Sequence, residues 1–239
     1  MSPDPSTLKN QARAAGLWYL LWAILGMYGV LYVSPQIFAP GDATATGANM
    51  LAHEFLFKST IIVGLVGIAL TLVLMWALYR LFERVNERQA KFMVALFIVT
   101  VPASFVIEAF NIASLMIFKG EVLKTFEIAQ RQDIAMLFLK LVDYTSIAFI
   151  AFWGLWLFPL ALLVYRSRFL PRFLGVWLAI NGLAYIAQSL TSLLWPSYRN
   201  MVFNYSMPAM FGELVFAVWL LVMGARIKSA TNQTSASPT

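Results

Sequence analysis

The sequence contains no cysteine and a single histidine, His53. These absences exclude disulfide bonds and thiolate-bound metals, because both need cysteine sulfur. His53 is followed by Glu54, which begins the zinc-protease pattern H-E-x-x-H, but Phe57 stands where the second imidazole is required. One imidazole cannot build a zinc centre, so we expect no metal site of this kind and no cofactor.

Charge is also scarce, since only 12% of the residues are charged while 61% are hydrophobic, and the mean hydropathy is +0.75. A soluble globule needs more polar surface than this, so the composition predicts a membrane protein. Crossing a hydrocarbon layer of ~30 Å takes about 20 helical residues. Six apolar runs are long enough, at residues 16–33, 60–82, 92–118, 141–165, 169–194 and 207–225. They are continuous rather than alternating, which predicts an all-α bundle of six transmembrane helices.

The net charge of +6 is concentrated in alternate connections between these runs. The basic residues of those segments are Lys9, Arg13, Arg80, Arg84, Arg88, Lys91, Arg166, Arg168, Arg172, Arg226 and Lys228. By the positive-inside rule these segments face the cytoplasm, so both termini are expected there. The same bias explains the basic composition without a nucleic-acid partner. We therefore expect a multi-pass protein whose partner is the lipid bilayer of the plasma membrane, the inner membrane of a bacterium.

The chain is predicted to form one transmembrane domain, residues 15–228, between a cytoplasmic segment, residues 1–14, and a disordered cytoplasmic tail, residues 229–239. In the first long connection, a helix from about Ala48 is expected to run unbroken into the second run. The second long connection, residues 119–140, has apolar residues among charges, which predicts a short surface helix.

Functional residues are sought inside the runs, because an ionisable group there is costly and usually faces the bundle interior. The candidate ligand-binding residues are Glu54, Lys58, Glu108, Asn111, Asp143, Asn181, Gln188 and Glu213. We expect Glu108 and Glu213 to carry the charge of one enclosure formed by the third, fifth and sixth runs. Glu54 and Lys58 are four residues apart, the spacing of a helical ion pair, and are expected to close its mouth.

Three segments carry a family resemblance: PGDATATGANMLAHEFLFK, YRSRFLPRFLGVWLAINGLAY and GELVFAVWLLVMGAR. Their most specific parts are Asp42, Asn49 and Glu54 before the Leu56-Phe57-Lys58 triplet, and the Phe-Leu-Pro-Arg-x-Leu-Gly turn at residues 169–175. On these residues the chain resembles, over residues 15–226, bacterial multi-pass membrane proteins of the domain-of-unknown-function 4386 family. Members usually have arginine where this chain has Lys58. The resemblance implies a topology and no reaction, because the family is uncharacterised.

Three functions remain open at this stage. We favour binding or translocation of a small solute or cation in a polar pocket that opens to the outside. The second is an intramembrane enzyme that uses two carboxylates as acid and base on a lipid-like substrate, and no nucleophile motif supports it. The third is a structural or accessory subunit in which the polar side chains only fix helix packing.

Overall fold

The computed structural model describes residues 5–225, and all regular structure in that part of the chain is helical. Six helical segments are long and apolar enough to cross a membrane, which confirms the predicted all-α fold. Their bounds are Ser6–Ile37, Glu54–Phe82, Glu87–Phe118, Ile128–Arg166, Arg172–Leu194 and Pro196–Val222, and they are called here the first to the sixth span. The predicted tail, residues 229–239, and the basic residues Arg226 and Lys228 lie outside the described residues.

Proline interrupts several spans. It has no N–H to donate to the helical hydrogen bonds, and its ring clashes with the carbonyl group four residues earlier. The third span is divided at Val99, ahead of Pro102, into Glu87–Ile98 and Thr100–Phe118. The fourth is divided at Trp156, ahead of Pro159, into Ile128–Leu155 and Leu157–Arg166.

The first span passes from an α-helix, Pro5–Met27, through a π-helical stretch, Tyr28–Val33, to a final turn, Ser34–Ile37. The second span is one α-helix, Glu54–Phe82, and the fifth is Arg172–Leu194. The sixth starts with a 3₁₀ turn, Pro196–Tyr198, and continues as Arg199–Val222 with Pro208 inside it.

The spans are arranged in a closed ring. Each span packs against its neighbours in sequence, and the first packs against the second on one side and the sixth on the other. The ends of the ring meet where Arg13 donates to the Val222 carbonyl at 3.4 Å and where Lys9 lies against Gly224. The start of the first span and the end of the sixth therefore lie at the same end of the bundle, which we call the terminal end. The opposite end is called the far end.

The core has two parts. The larger cluster includes residues of all six spans and is densest toward the terminal end, where Leu78, Leu163, Leu174 and Leu220 are fully buried. A smaller cluster at the far end joins Val33, Ile37, Met50, Phe57, Ile61, Leu115 and Leu139. The smaller cluster packs a short helix, Ala43–Ala52, against the far ends of the first four spans.

The connections at the far end differ from the predictions. Asp42 caps Ala43–Ala52 by accepting from the Ala45 N–H at 2.8 Å, but the helix stops at His53, whose backbone is not helical (φ −117°, ψ 38°). The predicted unbroken helix into the second span is therefore wrong. His53 is exposed, and its N–H and ring Nδ1 both contact the Asn49 carbonyl oxygen of the preceding turn, at 2.9 and 3.1 Å.

The predicted surface helix after the third span is wrong as well, because turns occupy residues 119–127. Gly120 and Leu123 both have positive φ, 69° and 54°, a backbone conformation that ends a right-handed helix. The fourth span then begins with a capping box, in which Glu127 and Gln130 bond each other's backbone N–H.

Candidate functional site

Glu213, on the sixth span, is the centre of a polar cluster formed by three spans. The Tyr19 hydroxyl, on the first span, donates to Glu213 Oε2 at 2.5 Å. The Asn181 Nδ2, on the fifth span, donates to Glu213 Oε1 at 3.0 Å, and the Tyr185 hydroxyl bonds the same carboxyl group. These four residues are called the Glu213 site. Tyr19 and Asn181 are buried, while Glu213 and Tyr185 keep partial exposure.

Small residues bring these side chains together. At Gly16, one turn before Tyr19, the position that a Cβ would occupy lies 2.5 Å from the Leu221 nitrogen and 2.8 Å from the Ala217 carbonyl oxygen. The backbones of the first and sixth spans are therefore in direct contact there, as small residues permit in membrane helices. Gly182, next to Asn181, brings the fifth span equally close to Gly154 of the fourth.

An aromatic layer surrounds the Glu213 site. Tyr19 lies 6.1 Å from the Trp156 ring and 5.9 Å from the Phe216 ring, measured between centroids. Trp153 joins the two sides of the layer, at 5.9 Å from Trp22 and 6.3 Å from Tyr185. The remaining rings in contact with these are Phe97 and Phe149. Aromatic rings therefore pack against Tyr19 and Tyr185, two of the residues of the Glu213 site.

The protein supplies no counter-charge to Glu213. Its three partners are an amide and two phenols, all neutral donors, and none of the ion pairs among residues 5–225 includes Glu213. A carboxylate inside a membrane must be protonated, paired or solvated, because an isolated charge there is costly. Because these side chains supply no positive charge, Glu213 is stabilised by a proton, by a bound cation or by water on its partly exposed side.

Asn181 contributes an unused acceptor to the same site. It is fully buried, its Nδ2 is engaged by Glu213, and its Oδ1 has no hydrogen-bond partner. When Glu213 is ionised it can only accept, so Asn181 must direct Nδ2, and not Oδ1, at the carboxylate. A buried acceptor without a donor is costly, unless a ligand with a positive charge or a hydrogen to donate lies beside it. Gln188 lies two turns further along the fifth span, and its buried Oε1 also has no hydrogen-bond partner.

Glu108 lies elsewhere in the bundle. Its carboxyl group packs against Gly64 of the second span, in the space that a side chain at that position would take, and Asn111 Nδ2 donates to it at 3.3 Å. Phe97, in the aromatic layer, lies about three helical turns (~16 Å) toward the terminal end from Glu108. The predicted packing of the third span against the fifth and sixth is wrong, because in the ring the third span packs on the second and fourth and makes no substantial contact with the fifth or sixth among the described residues.

The other predicted residues lie at the far end. Asp143 forms a bidentate ion pair with Arg199, with both N–O distances 3.0 Å, and the pair is exposed. The predicted pair of Glu54 and Lys58 is present at 2.5 Å, and Lys119 joins it at 3.0 Å from Glu54. These charges lie between the second and third spans. Their role in closing a mouth over Glu108 and Glu213 stays a prediction.

Tyr19 is the site residue that sequence reasoning missed. Its position among Trp18, Leu20 and Trp22 is typical of an aromatic residue at the membrane interface. That pattern gave no indication that the Tyr19 hydroxyl bonds a side chain on another span. The sequence feature that could have identified Tyr19 is its distance of three residues from Gly16. A glycine permits close contact between helices, and Tyr19 lies one turn from that contact. Among the described residues there is no group of three or more side chains able to hold a metal ion through His, Cys, Asp or Glu.

The fold and the span composition define a multi-pass α-helical membrane protein. The chain belongs to the family described as Domain of unknown function (DUF4386), which matches residues 14–224. It is also similar to an uncharacterized protein of Archaeoglobus fulgidus, with 31% identity over 81 residues. That similarity covers 34% of this chain and 47% of the relative, so the chain spans about half the length of the relative that it matches. No solved structure matches the chain.

Proposed function

We propose that the protein binds a small monovalent cation at the Glu213 site. The observation that supports this most directly is the pairing of an intramembrane carboxyl group that has only neutral partners with a buried acceptor, Asn181 Oδ1, that has none. A cation beside both atoms would supply the missing charge and satisfy the missing contact.

The charge of the site favours a monovalent ion. One carboxylate, one amide oxygen and two phenol oxygens offer a single negative charge, whereas Ca²⁺ takes six to eight oxygen ligands, usually with several carboxylates. Mg²⁺ likewise requires octahedral oxygen coordination. An ion over a ring face is attracted by the quadrupole of the ring, and the aromatic layer places several rings beside Tyr19 and Tyr185. Binding is the proposal. Translocation would need, in addition, a path to each end of the bundle.

The intramembrane enzyme is less favoured, because an acid–base pair must reach the same substrate bond, and the third and sixth spans, which carry Glu108 and Glu213, make no substantial contact among the described residues. An accessory subunit remains the alternative outcome of the experiment below. For localisation, we propose the bacterial plasma membrane with both termini in the cytoplasm, on the basis of the positive-inside distribution of arginine and lysine.

The test is a thermal-shift titration of the detergent-purified protein with Na⁺, K⁺, Li⁺ and NH₄⁺ chlorides, in choline chloride at constant ionic strength. We expect one of these ions to raise Tm, since a ligand at about 100 times its Kd stabilises by ~2.7 kcal/mol. Glu213→Gln should abolish the shift, and Glu108→Gln, the matched control, should keep it. The proposal is contradicted if no ion acts beyond ionic strength, or if Glu213→Gln responds like the native chain. If Tm changes with pH but with none of these salts, the ligand of the site is a proton.

A further inference from the structure

The buried face of the fifth span changes from apolar to polar at the Glu213 site. Toward the terminal end this face carries Leu174 and Leu178, which are fully buried. From the site toward the far end, the same face carries polar side chains four, three and four residues apart, at Asn181, Tyr185, Gln188 and Ser192. These four residues are called the polar file. The buried polar residues of this span therefore begin at Asn181 and continue only toward the far end.

The sixth span changes in the same way. On the terminal side of Glu213 its buried residues are all apolar, at Phe216, Ala217 and Leu220. On the far side, Ser206 is buried seven residues from Glu213, a spacing that places both on one helix face. The fifth and sixth spans are antiparallel and Asn181 lies beside Glu213, so seven residues along each span bring Gln188 and Ser206 to the same level. That level is ~10 Å from the Glu213 site toward the far end.

Gln188 has a buried oxygen that lacks a donor, as Asn181 has. The residue is 9% exposed, and its Oε1 has no hydrogen-bond partner among the described residues. Trp153 of the fourth span, whose ring centroid lies 6.3 Å from that of Tyr185, has a buried indole N–H that likewise finds no acceptor in the described part of the chain. A polar side chain that only fixes helix packing bonds the neighbouring helix, and these two groups do not. Water or a hydrated ion satisfies both, because water donates and accepts.

Charged side chains lie where the polar file reaches the far end. The Ser189 hydroxyl donates to the Ile147 carbonyl at 2.7 Å, and Asp143 lies about one turn beyond Ile147 toward the far end. Asp143 pairs with Arg199, the first residue of the α-helix of the sixth span, and both side chains are half-exposed. Charges at this exposure require water or lipid headgroups around them. The polar file therefore leads from the Glu213 site to a hydrated part of the bundle.

We propose that a monovalent cation enters the Glu213 site from the far end along the polar file, and that Gln188 and Ser206 are its first binding position inside the bundle. This proposal rests on the proposed cation site at Glu213 and adds its entrance. Side-chain oxygens at this level replace part of the water that the ion loses, as oxygen ligands do in ion pathways. On the other side of the site, Leu178 and Leu220 supply no such oxygen, so the site has a single entrance.

The test is the accessibility of single cysteines to Ag⁺, a monovalent cation that bonds thiol groups. The chain has no cysteine of its own, so each introduced thiol is the sole target of a maleimide added afterwards. Ag⁺ in nitrate buffer is applied to one side of sealed vesicles of known orientation, and blocking of the thiol is measured as lost maleimide labelling. Lys124→Cys, in the exposed turn after the third span, identifies the side on which the far end lies.

We expect Ser192→Cys and Ser206→Cys to be blocked from that side only, although both serines are buried. Ser189→Cys is the matched control and should stay unblocked, because Ser189 is also buried but bonds the Ile147 backbone outside the polar file. In the Ser206→Cys chain, Gln188→Leu should slow blocking about tenfold, because it removes the oxygen ligand and nearly keeps the size of the side chain.

Four results would overturn the proposal. They are no blocking at position 192 or 206, equal blocking from the two sides, blocking of Ser189→Cys at the same rate, and no effect of Gln188→Leu. The thermal-shift titration separates the entrance from the cation site. Blocking without an ion-dependent Tm shift would refute the cation site and confirm the entrance, whereas a Tm shift without blocking would refute the entrance alone. A melting measurement on each variant shows that the chain is folded, which we expect because serine and cysteine differ by one atom.

Discussion

The contact between the first and sixth spans can be tested by replacing Gly16 with alanine. The added Cβ would lie 2.5 Å from the Leu221 nitrogen, 2.8 Å from the Ala217 oxygen and 2.8 Å from Leu220 Cβ. Two of these atoms are backbone, so relief requires that the two spans move apart. Overpacking of this kind costs ~1–3 kcal/mol, while alanine in place of glycine returns up to ~1 kcal/mol of helix propensity. We expect Gly16→Ala to lower the free energy of unfolding by roughly 1–2 kcal/mol.

Gly26 supplies the matched control in the same helix, because no atom lies within 4 Å of the position that its Cβ would occupy. Gly26→Ala should therefore be neutral or stabilising by up to ~1 kcal/mol. The measurement is the unfolding free energy of both variants in detergent, from denaturant titrations of the purified chain. If the two substitutions change stability by the same amount, the close contact that closes the ring is refuted, and with it the reason why Tyr19 reaches Glu213.

Three further predictions can be checked separately. Tyr19→Phe removes the 2.5 Å hydrogen bond to Glu213 and should cost ~1–3 kcal/mol in the same unfolding measurement, whereas a neutral result would show that the bond is not formed. Thr46→Val removes a buried hydroxyl that bonds both the N–H and the carbonyl of Ala39, at 3.0 and 3.1 Å. It should speed amide exchange or proteolysis in residues 38–46, because two backbone groups lose their partner, and unchanged rates would contradict this. Reporter tags fused at Ser2 and Thr239 should both read as cytoplasmic in a bacterial host, and a periplasmic signal from either tag would contradict the expected orientation.

The spans were predictable because the bilayer sets a physical length that any sequence must satisfy. About 20 apolar residues per crossing are needed, and the six runs of this chain meet that requirement with few charges inside them. The prolines that divide the third and fourth spans were visible as well, but the direction of each kink depends on tertiary packing. The structure extends the first span to Ile37 through a π-helical stretch that periodicity does not encode.

The site was only partly predictable, because periodicity tells which residues share a helix face and not which helix that face contacts. Glu213 and Asn181 were correctly expected to adjoin, since the fifth and sixth spans are consecutive and packed together. Glu108 was placed with them on the cost of exposing it to lipid, but it packs against Gly64 and accepts a hydrogen bond from Asn111 instead. Which spans pack together depends on the order of the spans around the ring, and six similar apolar runs do not specify that order. The role of every candidate in ligand binding stays a prediction.

The most direct measurement of the central claim is carbodiimide labelling of the two intramembrane carboxyl groups. Dicyclohexylcarbodiimide is apolar and reacts with protonated carboxyl groups, and peptide mass spectrometry reports each labelled site separately. In cation-free buffer, Glu213 should be labelled, and the ion that raises Tm should protect it in proportion to its occupancy. Glu108, which has no part in the proposed site, should react to the same extent with and without that ion. Equal labelling of Glu213 in both conditions would contradict cation binding at this site.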